Sequence, residues 1–217
     1  MISNGSVAAS QPELPAVARF AGKFQVADRT SPARPEAEGA IRLAYGRHFG
    51  ARVAAFMPYL ASYRSALGRG VLGYRPAVEE KLYLESYLEL PIESLLERIT
   101  GRPVDRGDIV EVGQFAVEDR GIVGPLFIDL APFLRGHGYR WICFTATQKI
   151  RRLLERAGLQ GLAIATARED AVREHSDRWG TYYDNDPLVI VGSLDDPAGD
   201  WCESLGHHGR LLTAVGA

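Results

Sequence analysis

A single domain of mixed α/β (α+β) class, with a central sheet flanked by helices, is what this sequence predicts, on three observations. In the second half, "IVEVGQFAV", "IVGPLFIDLAPFLR", "YRWICFTAT", "QKIRRLLERA", "GLAIATA" and "PLVIVGSL" alternate strand-like and helix-like periods. That alternation is the pattern of a sheet with at least one parallel pair. In the first half, "ARVAAFMPYLASYRSALGRGVLGYRPA" holds short apolar runs broken by Pro58, Gly68, Gly70 and Gly73, as in an antiparallel hairpin or meander. Finally, 217 residues, 46% hydrophobic and 24% charged, can bury one full core, and no repeat or linker divides them.

Taken in order, residues 1–35 are expected to form a flexible N-terminal segment. They are rich in Ser, Ala and Pro to residue 20 and enter the loop-like "DRTSPARPE". The domain spans 36–195, and 196–217 is a C-terminal tail. From Glu36 to Phe49, Ala37, Ala40, Ile41, Ala44 and Tyr45 recur at helical spacing, with Gly50 as a stop. "KLYLESYLE" (Lys81–Glu89) fits a strand or a helix, with a short helix or an irregular segment favoured. "PIESLLERITG" is a helix with Pro91 at its start, acids in its first turn, Arg98 near its end and Gly101 beyond it. The order is a meander, then β-α-β-α-β-β.

A formal net charge of -2 gives no global basic field to draw the chain onto nucleic acid. The cysteines, Cys143 and Cys202, form neither a disulfide framework nor a metal-ligand spacing, and Cys143 in "WICFTAT" reads as a small core residue. The first 20 residues lack a signal-peptide pattern, and no stretch approaches the ~20 apolar residues of a membrane span. The expected location is the cytoplasm.

In an open α/β sheet the ligand crevice lies at the carboxyl ends of the parallel strands, here after Val117 and after Thr147. The turn "EDRGIVGPLF" leads from the first of these strands into a helix, leaving N–H groups at a positive dipole end that suits a phosphate. Equally, Gly121 and Gly124 there serve backbone angles alone. The turn is neither a Walker motif nor a dinucleotide fingerprint. Glu111 stands in the middle of an apolar strand. Desolvated, such a carboxyl has a raised pKa and suits general-base work; otherwise it is a strand acid paired with an arginine.

"LYLESYLELPIE", "IVEVGQFAV", "WICFTATQKIRRLLERAGL" and "RWGTYYDNDPLVIVG" together resemble the thermostable hemolysin family over residues 36–194. That family looks like a branch of the GNAT-like acyltransferase superfamily, near the acyl-homoserine-lactone synthases. The resemblance implies a GNAT-like sheet and acyl transfer from an acyl carrier protein or acyl-CoA to an amino-acid-like amine, in small-molecule biosynthesis. The thioester is a cosubstrate, and no cofactor or metal is tightly bound. By the same likeness Glu111 is the catalytic acid-base group, and Phe115, Ala116 and Val117 flank the acyl thioester. Gln114 stands where the lactone synthases carry an arginine, and "DRGIVG" keeps only its final glycine in the superfamily's pyrophosphate turn. The glutamine, with no counterpart of the synthases' N-terminal aspartate motif, points away from lactone synthesis. The altered turn points away from free CoA, although Arg120, Gly121 and Gly124 remain the candidates for holding the donor.

Tyr182 and Tyr183, after Trp179, are candidates to protonate the leaving thiolate, or aromatic anchors for a loop. Glu85 is a candidate to orient an amine, or a solvated acid. Thr145, Thr147 and Gln148 either meet a ligand or cap the next helix, with capping favoured. Arg151, Arg152 and Arg156 form a basic helix face that suits an acidic carrier protein or plain solvation. His207–His208, near Cys202, are discounted as a metal site. Two other functions stay open: a non-catalytic thioester-binding module, and a membrane-active hemolysin as the family name suggests.

Overall fold

The computed structural model describes residues 22–159, 161–172 and 178–195. Its frame is one sheet of β1 (Lys23–Ala27), β2 (Tyr59–Ser65), β3 (Gly68–Pro76), β4 (Ile109–Val117), β5 (Trp141–Ala146), β6 (Leu162–Thr166) and β7 (Leu188–Ser193). The spatial order is β1-β2-β3-β4-β5-β7-β6. β1 to β4 form an antiparallel meander, β4 and β5 are parallel, and β7 lies antiparallel between β5 and β6. The helices are α1 (Arg34–Phe49), α2 (Ile92–Thr100), α3 (Val123–Gly136) and α4 (Gln148–Arg156). Both glycine stops hold: Gly50 and Gly101 take left-handed φ values of 64° and 69°.

Side chains alternate faces along a strand, so β5 shows how the layers divide. Ile142 and Phe144 pack with Leu126, Leu130 and Leu134 of α3 and Leu154 of α4. Trp141 and Cys143 pack with Ile92 and Leu96 of α2 on the opposite face. Cys143 is fully buried there, a core residue as its sequence context predicts. α1 covers the same face as α2, through Ile41 and Tyr45 against Leu60 and Ala116.

One boundary differs from the sequence expectation. β1 pairs with β2 over five residues, and α1 begins at Arg34, so both lie partly or wholly inside the stretch expected to be flexible through residue 35. "KFQVA" is too short to declare itself; its strand state comes from the β2 edge that it completes. "KLYLESYLE" yields a short 3-10 helix, Tyr83–Tyr87.

The local irregularity that matters most is in β4. Its register with β3 slips between Val71 and Gly73, and Gln114 opposite takes φ +50°. An extra residue in one strand swaps the faces of everything beyond it. Val110 and Val112 face the α3 side before the slip, and Phe115 and Val117 face it afterwards. Ala116 thereby turns to α1. Pairing with β5 ends at Val112↔Phe144, so the last five residues of β4 have no strand partner on that side.

Candidate active site

A cleft of about 210 Å³ opens where β4 and β5 part, the crevice expected from the sequence. It brings together Gln114, Phe115, Ala116, Val117, Thr145 and Tyr182, with Arg120 at its rim. Phe127 and Phe144 separate it from an apolar space of about 100 Å³ between α3, α4 and β7. A smaller cavity of about 60 Å³ lies on the opposite side of β4, sharing Tyr45, Gln114, Thr145 and Tyr182 with the cleft and reaching Glu111.

Glu111 is 3% exposed. Its carboxylate accepts the Tyr83 N–H at 2.8 Å and the Leu84 N–H at 2.9 Å, which fastens the 3-10 helix to β4. Arg75 Nη1 stands 3.9 Å away. Burial pushes the Glu111 carboxyl up to about 7, against the lowering pull of Arg75 and of the two N–H groups. Desolvation wins because a guanidinium at that distance compensates only part of the lost hydration. Glu111 thus anchors the 3-10 helix, with Arg75 beside it and its carboxyl raised by burial.

Glu85 sits elsewhere. It accepts the Leu82 N–H at 3.0 Å and the Ile92 N–H at 3.1 Å, and Arg106 grips it at 2.7 and 3.0 Å. Burial pushes its carboxyl up, but Arg106 and these N–H groups outweigh that and hold it below its ordinary value. All four bonds stay within the protein, so the structure gives Glu85 the work of pinning the Tyr83–Tyr87 turn to α2, in place of the substrate contact expected from the resemblance.

The tyrosine pair divides. Tyr182 lines both the cleft and the inner cavity, and its hydroxyl donates to the Thr145 carbonyl at 3.5 Å. Burial pushes its phenol well above the ordinary value, so it stays protonated at neutral pH and keeps a proton to donate. Tyr183 lines the inner cavity alone and shares a 2.7 Å hydrogen bond with the Tyr87 hydroxyl. Trp179 Nε1 donates to the Tyr83 hydroxyl at 2.9 Å. Tyr45, Tyr83 and Tyr87, absent from the sequence candidates, complete an aromatic box around the inner cavity. Tyr45 is buried too, and its hydroxyl is hydrogen-bonded to the Phe115 backbone. Tyr83 and Tyr87 lie in the motif "LYLESYLELPIE" and Tyr45 in the α1 pattern, but nothing in either marks them as lining a site.

Gln114 contacts protein on both ends. It accepts the Met57 N–H at 2.9 Å and donates to the Ala55 carbonyl at 2.7 Å, which ties the preceding loop to the bulge. In the glycine turn, Asp119 accepts the Gly121 N–H at 2.6 Å. Gly124 serves packing: a Cβ there would stand 3.0 Å from the Ala157 Cβ. Thr147 occupies the cap position of α4 but its side chain makes no cap hydrogen bond, contrary to the favoured reading. Arg151 pairs with Asp186 at 2.7 Å and so leaves the basic face to Arg152 and Arg156. His207, His208 and Cys202 lie outside the described residues.

Gly180 holds the loop that presents Tyr182. It has φ +56°, and a Cβ on it would collide with the Phe49 carbonyl oxygen. The neighbouring Thr181 N–H donates to that same carbonyl at 2.9 Å. Gly180→Ala is expected to lose about 1–3 kcal/mol from the strained backbone. The fluorescence of Trp179 and thermal melting check this; an unshifted melt would show that the loop relaxes freely.

Residues 27–198 match the family model described as thermostable hemolysin. No curated protein matches the chain. In fold it is similar to the AHL synthase LasI, at 12% identity over 83% of this chain and 93% of that one, with a TM-score of 0.54. It is also similar to FeeM, an N-acyl amino acid synthase from uncultured soil microbes, at 14% identity over 84% and 94%, with a TM-score of 0.50. These likenesses show the fold, a mixed sheet split between β4 and β5 of GNAT-like architecture. With the family match running from the end of β1 past β7 and across every residue of the cleft, the chain belongs to the thermostable hemolysin family.

Proposed function

We propose that the protein transfers an acyl group from a thioester to a small-molecule amine, in small-molecule biosynthesis. One observation carries this: an apolar cleft, bounded by unpaired β4 backbone and lined by Tyr182, adjoins through shared residues an inner cavity that reaches the buried Glu111 carboxyl. The thioester carbonyl lies beside Phe115–Val117, where backbone N–H groups around Ala116 and Val117 polarise it, the Phe115 backbone being held by Tyr45. Glu111, directly or through water in the inner cavity, takes a proton from the attacking amine. The nitrogen bonds to the carbonyl carbon, the C–S bond breaks, and Tyr182 protonates the departing thiolate. The apolar space past Phe127 and Phe144 receives the acyl tail.

The donor is an acyl carrier protein in preference to CoA. Asp119 already occupies the Gly121 amide, whereas a carrier's phosphopantetheine arm brings no adenosine diphosphate to that turn. Arg120 and Lys149 line this mouth, Arg152 and Arg156 are exposed farther along α4, and together they suit an acidic carrier surface. Native mass spectrometry against acyl-carrier proteins and acyl-CoAs, with thiol release followed in the presence of amines, tests the reading. Retained thioester followed by free thiol and an acylated amine is the expected result. Retention without release would identify a binding module, and no retention would sink the acyl-transfer reading.

A further inference from the structure

The sheet face beneath α1 carries a charge pattern that acyl transfer by the cleft does not use. Lys23 of β1, Arg64 of β2 and Arg69 of β3 are direct cross-strand partners, Lys23↔Arg64 and Arg64↔Arg69. Three cations therefore stand in one row across three strands. Like charges placed opposite each other destabilise a sheet. Among the described residues none of the three forms an ion pair with a carboxylate.

The row lines one wall of a groove of about 690 Å³, a volume in the range that holds drug-sized ligands. α1 forms the other wall, presenting small residues, Ala37, Ala40 and Ala44, together with Arg47. The groove contains two carboxylates, Glu36 in the first turn of α1 and Glu118 beside Arg69, against four cations. It shares Ala44, His48, Ala116 and Val117 with the acyl cleft, so a molecule lying in it touches the residues that flank the thioester. A basic residue in the last turn of a helix is explained by the helix dipole, which accounts for Arg47. It does not account for three cations in register on the sheet.

We infer that this groove binds an organic anion, and that the anion is the body of the acyl acceptor: an amine that carries a phosphate or two carboxylates. Guanidinium forks on Arg64 and Arg69 match either group bidentately. The apolar wall of α1 receives the carbon frame, and the amine end reaches the cleft at Ala116 and Val117. The acceptor role rests on the acyl-transfer reading; the anion binding does not.

The test is calorimetric titration of the full chain, with no thioester present, by O-phosphoethanolamine, aspartate and ethanolamine. O-phosphoethanolamine or aspartate should bind and ethanolamine should not, the stronger of the two naming phosphate or carboxylate as the group held. The double variant Arg64→Gln, Arg69→Gln should weaken that binding by about tenfold or more. Because it removes facing like charges, the variant should melt no lower than the native chain, which separates lost binding from lost folding. With an acyl donor present, the variant should raise KM for the anionic amine and leave kcat alone. Failure of both anions to bind, equal binding of ethanolamine, or unchanged binding by the variant would each overturn the anion site. Arginine-dependent binding in a chain that releases no thiol would keep the anion site and remove the acceptor role together with acyl transfer. Transfer to ethanolamine and O-phosphoethanolamine with equal KM would keep acyl transfer and overturn this inference.

Discussion

Glu111→Gln is expected to lower turnover by about 10²- to 10⁴-fold, the contribution of a positioned general base. In the native chain kcat/KM should rise with pH and level off above about 7, where the carboxyl has lost its proton. Stability should move the opposite way. The folded-state carboxyl titrates at about 7 against an ordinary value of 4.5, so the folded chain holds the proton more tightly than the unfolded one. The associated stability is full below 4.5 and is lost as pH rises through about 7. That difference corresponds to about 3 kcal/mol. Glutamine has no such titration, so the variant should gain on the native chain by about 3 kcal/mol between acid and mildly alkaline pH. Denaturant unfolding of both chains at the two pH values measures it. Since glutamine accepts only one of the Tyr83 and Leu84 N–H bonds, the variant should start about 1–3 kcal/mol behind at low pH. Retained turnover would leave Glu111 as an anchor for the 3-10 helix and nothing more.

The second large effect lies away from the cleft. Arg106→Ala removes both bonds to Glu85, a further ion pair to Glu93 and a 2.8 Å bond to the Ala77 carbonyl. Glu85 is then a buried carboxylate with only the Leu82 and Ile92 N–H groups for company. Breaking a buried pair by removing one partner costs about 3–5 kcal/mol; with the Arg106 side chain 27% exposed, about 3 is expected. For a domain of this size that lowers Tm by about 6–12 °C. Glu85→Gln should likewise lower stability while leaving KM for the amine unchanged. A selective rise in that KM would restore Glu85 to the substrate site.

How far the sequence reaches is clearest in β4. The apolar run 109–117 and its helix partner follow from periodicity, because burial of one face imposes a period that any reader of the chain can find. The likeness of four motifs also led to the right family. The face change at Gln114 is invisible in that run, since a bulge depends on what the neighbouring strand does across from it. β1 is hidden for the same reason: five residues become a strand only where an edge awaits them. Glu85 and its partner Arg106 are 21 residues apart, and no spacing rule links them.

What the sequence determined by itself is the class of fold, the place of the crevice and the presence of an acid in an apolar strand, because all three rest on local pattern. The tertiary structure alone decided that Tyr182 enters the cleft while Tyr183 turns to Tyr87. It likewise decided that Lys23, Arg64 and Arg69 share one row. Register and burial are properties of pairs of segments, and desolvation, which moves Glu111 toward neutrality, is a property of everything packed around one side chain.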